Sequence, residues 1–144
     1  MKLAQLLPLL VTVALSVPSA LADFHVIQGL TPSGSSSLEA CPSNNYNCGC
    51  MKNGDRAAQV IDVNGQGVGG LPNNSFSVKS GLCGMDQLDF YKSSDGHWDF
   101  YISNGDGTLQ GKCHPNTASS SCSGGYFFDD KLVCYTDICD LNWD

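Results

Sequence analysis

The sequence predicts an all-β fold, a small antiparallel β-barrel or sandwich stapled by about four disulfides, and three observations carry that expectation. Glycine is abundant at 16 residues, while glutamate occurs once, at Glu39, so turn formers are dense and good helix formers sparse. Aromatic runs alternate around an Asp-Gly pair in "QLDFYKSSDGHWDFYIS", residues 87–103, the pattern of a hairpin. Eight cysteines are spread over the chain at gaps of 7, 2, 33, 30, 9, 12 and 5 residues.

The N-terminus sets the redox context. Met1 and Lys2 give a positive start, Leu3 to Val17 is an almost continuous apolar run, and Ser19-Ala20-Leu21-Ala22 ends in a small-x-small pattern. Residues 1–22 therefore read as a signal peptide cleaved before Asp23. The apolar run stops at Pro18, short of the ~20 residues needed to span a bilayer. Residues 23–144 are expected to form one extracellular, disulfide-rich β domain without membrane insertion.

In that setting Cys41, Cys48, Cys50, Cys83, Cys113, Cys122, Cys134 and Cys139 read as four disulfides. Zinc is the competing reading and fails on spacing, since paired Cys-x2-Cys knuckles are missing, as is a thioredoxin-like motif. An extended Cys48-Gly49-Cys50 would send both thiols from one strand face to different partners. Cys113 with Cys122 and Cys134 with Cys139 are the local pairings the spacing suggests, within 105 connectivities that eight cysteines allow.

Strands are expected at "DFHVIQGL", "AAQVIDV" and "SFSVKSGLC", followed by the hairpin. With Asp95-Gly96 as a two-residue loop, Lys92 would face Asp99, Phe90 would face Tyr101 and Tyr91 would face Phe100. "NGDG", residues 104–107, reads as a second turn leading into "TLQGKC". A calcium loop in this frame would place Ile102 and Cys113 where its anchoring carboxylates belong. "GYFFDDKLVCYT" offers one or two strands, with Asp129-Asp130 as a turn between them. The stretches "TPSGSSSLEACPSNN", "NGQGVGGLPNN" and "HPNTASSSCSGG" read as long connections. Asn73-Asn74-Ser75 is an N-glycosylation sequon at Asn73 in one of them.

Chemistry is less legible. His25, His97 and His114 are the only histidines, and nothing in their spacing brings them together with Glu39 and Arg56 in one cleft. No Gly-x-Ser-x-Gly elbow, zinc-protease helix or phosphate-binding loop is present, so no catalytic residue, metal or cofactor is assigned and an enzyme is the less favoured reading. A ribonuclease of the fungal type would draw on histidine, glutamate and arginine, but Glu39 reads better as loop decoration and Arg56 as the partner of a nearby Asp. A glycosidase would need two opposed carboxylates, and 13 aspartates give no ranking.

After cleavage six Lys and Arg stand against fourteen Asp and Glu, a net charge of −8 that disfavours nucleic acid and anionic membranes. A host protein or a cell-wall glycan is the better partner, with Trp98, Trp143 and the tyrosines as a stacking platform if they are exposed. The oligomeric state is left open.

"CPSNNYNCGCMKNGDRAAQVIDVNG" resembles small secreted cysteine-rich proteins of filamentous fungi, the Trichoderma-type small secreted proteins and the hypersensitive-response-inducing proteins of plant pathogens. Cys41-Pro42-Ser43, Cys48-x-Cys50 and Asp55-Arg56 before a β run carry the likeness. It implies a compact β-barrel released at a host interface, an effector or elicitor acting by surface recognition, with no active-site motif to carry over. The alternative is a small extracellular hydrolase or a carbohydrate-binding module.

Overall fold

The computed structural model describes residues 23–139; residues 1–22, where a signal peptide is expected, and Trp143 lie outside the described residues. Nine strands form one antiparallel sheet: β1 Phe24–Leu30, β2 Ser36–Pro42, β3 Ala58–Ile61, β4 Ser75–Val78, β5 Leu88–Lys92, β6 Trp98–Ile102, β7 Leu109–Pro115, β8 Ser119–Cys122 and β9 Tyr126–Thr136. Strands β1 to β7 pair in sequence, β9 pairs with β7, and β9 returns to β1, so eight strands close into a barrel. Strand β8 continues the line of β7 along the same edge of β9. Closure removes most free edges from the sheet.

Alternation along the strands fills the interior. Phe24, Phe76, Phe90, Trp98 and Phe100 are all at most 2% exposed, and Phe90 stacks on Phe76 at 4.5 Å and on Phe100 at 4.9 Å. The barrel is a packed core with its aromatic rings in contact, not a ligand-holding lumen.

A second, smaller cluster lies outside the barrel. Residues 43–57 fold back over β1, β2 and β9, where Cys50 and the half-buried Tyr46 and Met51 pack with Ile27, Cys41 and Phe128. Within this cover Cys48–Asn53 form a short helix, α1, and not the extended segment expected. The Asn47 side chain caps it by accepting from Gly49 and Cys50 N–H, and Gly54, at φ 72°, ends it in the left-handed region that favours glycine.

The eight cysteines form four disulfides, Cys41–Cys50, Cys48–Cys122, Cys83–Cys139 and Cys113–Cys134. Cys48 and Cys50 reach different partners, but neither suggested local pairing forms. Cys113 and Cys134 are direct register partners on β7 and β9, which places their sulfurs together inside the core.

Three further expectations are corrected. The hairpin register is one residue away from that expected, with Phe90 opposite Phe100, Tyr91 opposite Asp99 and Lys92 opposite Trp98. Ser93 N–H donates to the His97 carbonyl, so the loop holds three residues, 94–96, and Gly96 takes φ 94°. This register sends both phenylalanines inward, which a one-residue slip forbids. Asp129-Asp130 is no turn: it lies within the single strand β9. Finally, β2 and β8 occupy stretches expected to be connections.

Candidate functional site

The barrel's register assembles what the sequence keeps apart. His97, just before β6, lies beside His114 of β7, their rings 6.0 Å apart. His114 is the register partner of Val133 on β9, and Val133 of His25 on β1. The three histidines thus lie along one row of the outer surface, perpendicular to the strands. Two residues along, the next row runs Tyr91, Asp99, Lys112, Tyr135, and the one after it Asp89, Tyr101, Leu109. Rows on one face are about 7 Å apart.

His97 is bracketed by carboxylates. Its Nδ1 meets Asp95 and its Nε2 meets Asp99 at 3.0 Å. Asp99 also accepts from the Ser93 hydroxyl at 3.0 Å and lies 3.8 Å from Lys112 Nζ. The pairing holds the imidazole in place, and Lys112 offsets charge on this part of the face.

Beside these groups runs an open aromatic strip. Tyr91 is 52% exposed, Leu109 44% and Tyr135 40%, with half-buried Tyr101 ring to ring with Tyr91 at 6.1 Å. Just beyond Tyr101 and Leu109, the β6–β7 loop borders a half-open hollow of about 330 Å³ lined by Ile102, Gly105, Asp106, Gly107, Thr108 and Gln110. Asp89, opposite Tyr101 and two residues along β5 from Tyr91, accepts from the Ser77 hydroxyl at 2.7 Å. Trp98 takes no part in this surface, since it is buried in the core at 1% exposure.

At the other end of the histidine row the surface meets the edge of the cover. Strand β9 carries a bulge: Val26 pairs with Leu132 and Ile27 with Asp130, leaving Lys131 between them unpaired. The extra residue reverses the alternation, so Leu132 and Cys134 point into the barrel whereas Phe128 and Asp130 point outward beneath the cover. Asp130 is 2% exposed. Its Oδ2 accepts from His25 Nδ1 at 2.7 Å, Asn116 Nδ2 at 2.9 Å and the Tyr46 hydroxyl at 3.3 Å. Its Oδ1 is buried with no partner among the described residues. The Tyr46 ring lies flat on His25, centroids 4.1 Å apart, and burial together with the Asp130 charge pushes its phenol up to about 12.

Glu39 and Arg56 both come from the β2 and cover side of the barrel. Glu39, on β2, shares a row with Ile27 and Asp130, and burial raises its carboxyl above the usual range. Arg56 is exposed just after α1, with φ 59°. Asn73 is exposed in the loop before β4, where a glycosyltransferase could reach it.

Asp130 escaped the sequence reading because only a bulge gives a residue in "YFFDDKLVCY" this outward, covered position, and Tyr46 and Asn116 join it from 84 and 14 residues away. Comparison with known protein families, curated proteins and solved structures finds no match for the chain.

Proposed function

We propose that this is a secreted recognition protein of the fungal effector or elicitor type, and that its outer face binds a neutral glycan at a host surface. The observation that carries the reading is the aromatic strip. Tyr91, Tyr101 and Tyr135 lie on one rigid sheet face while every phenylalanine of the barrel interior is packed away. Tyrosine rings stack on the apolar faces of sugars, and Asp89, Asp99 and Gln110 can accept or donate to hydroxyl groups around them. The chain's acidity favours a neutral ligand over a polyanionic one. Four disulfides suit an oxidising, extracellular setting, and no described helix is long and apolar enough to cross a membrane.

The test is retention on insoluble polysaccharides together with leaf infiltration. Wild type is expected to be retained and to induce a defence response. Tyr91→Ala and Tyr135→Ala, both exposed, are expected to weaken retention about tenfold each, roughly 1.4 kcal/mol, with unchanged circular dichroism. Equal retention of folded variants and wild type would remove the strip from the recognition surface.

A further inference from the structure

Beyond recognition, the Asp130 node has the arrangement of an oriented base. A carboxylate only accepts hydrogen bonds, so the 2.7 Å contact places a proton on His25 Nδ1. In the neutral ring the lone pair is then on Nε2, on the opposite edge of the imidazole. That nitrogen makes no hydrogen bond to a described residue, and the His25 side chain retains 15% exposure. The ring is held on one side by Asp130 and on its face by Tyr46. Asp130 in turn is fixed by Asn116 and Tyr46, and it is buried, where its charge acts on an adjacent imidazolium with little screening.

We propose that His25 is the general base of a hydrolytic site for uncharged carboxylic esters, such as an O-acyl group on a sugar hydroxyl. Nε2 takes a proton from a water molecule as the water oxygen attacks the acyl carbon, and Asp130 stabilises the imidazolium that results. As the acyl carbon–alkoxide bond breaks, the imidazolium returns that proton to the leaving oxygen. One ester and one water become one carboxylic acid and one alcohol, and His25 ends as it began. The substrate supplies both the electrophile and the leaving group, so the site needs no enzyme nucleophile. All eight cysteines are tied in disulfides and offer none. An uncharged ester fits a strongly acidic chain better than a phosphoester does. This activity stands on the Asp130 node alone and does not require the tyrosine strip to bind glycan.

The experiment uses the full secreted chain with 4-nitrophenyl acetate and an O-acetylated xylo-oligosaccharide as probes. Wild type is expected to release acetate from both, with saturation by the oligosaccharide. His25→Ala is expected to lose ~10²-fold or more in kcat with native circular dichroism, and free imidazole to restore part of that loss. Asp130→Asn, if folded, is expected to lower kcat more than it alters KM, because the amide no longer fixes the Nδ1–H tautomer. Should Asp130→Asn fail to fold, the His25→Ala and imidazole pair decides alone, since a merely structural histidine would not be rescued by a diffusible base. No turnover above buffer by wild type, or a His25→Ala rate equal to wild type, overturns the assignment. Polysaccharide retention without turnover would overturn it while leaving the recognition reading intact.

Discussion

Cys113 and Cys134 are joined twice, as opposed residues in the β7–β9 ladder and through their sulfur atoms, and neither has any exposed surface. The disulfide at the far end of the cover contrasts with it. Cys48 is exposed and Cys122 half-buried, so a reductant can reach that bond without opening the barrel. Under native conditions and graded reductant, Cys48–Cys122 is therefore expected to open first and Cys113–Cys134 only with global unfolding. Differential alkylation followed by peptide mass mapping checks the order, and simultaneous labelling of all four pairs would contradict it. The fully oxidised protein should show no reactive thiol.

Gly111 marks where two strands and a ring approach most closely. A Cβ there would lie 2.5 Å from the Tyr135 carbonyl oxygen and 2.7 Å from both Phe100 Cζ and Thr136 Cβ. The carbonyl belongs to the β9 backbone and cannot swing aside. Gly111→Ala is expected to destabilise the fold by about 1–3 kcal/mol, the range for overpacking a well-packed site. Urea unfolding should show a lower midpoint at an unchanged slope.

The hairpin turn gives a separate measure of backbone constraint. Gly96 is at φ 94° in a three-residue loop, closed by Ser93 N–H to the His97 carbonyl and Gly96 N–H to the Ser93 carbonyl. A β-branched residue resists that conformation, so Gly96→Val is expected to cost roughly 1–3 kcal/mol. Its imidazole neighbour should also lose its place, because His97 N–H donates to the Asp95 side chain in the same turn. An unchanged unfolding midpoint would mean the turn has another form.

These positions also show what the sequence makes legible. Alternation in "LDFYK" and "WDFYI" announces β5 and β6, because inward phenylalanines need period two. It leaves the register ambiguous by one residue, and pairing Lys92 with Asp99 chose the wrong one; the need to bury Phe90 against Phe100 settles it. Strand β2 begins with two serines and ends in Cys-Pro, so its own residues read as a loop, and it exists through its ladder to β1. Helix α1 is too short for periodicity, and its signals were the Asn47 cap and Gly54. The histidine row could not be read at all. It depends on three strand pairings across four strands, and Asp130 joins it only through the bulge at Lys131.

Glu39 supplies a test of buried charge with a defined sign. Burial raises its carboxyl above the ordinary glutamate value, so the folded state holds the proton more tightly than the unfolded chain does. Stability from this group is accordingly complete below the unfolded carboxylate range and is lost as pH rises through the folded value. At neutral pH the ionised Glu39 weighs against the fold. Glu39→Gln keeps the shape and the hydrogen-bonding capacity but removes the charge, and is expected to raise the unfolding temperature at pH 7. The same variant at pH 3, where the wild-type carboxyl is itself protonated in both states, should gain little. Thermal unfolding of the two proteins at the two pH values reads the difference directly. A variant less stable than wild type at pH 7 would instead show that the Glu39 carboxylate is held by a favourable partner, and that its charge supports the cover over β1 and β2.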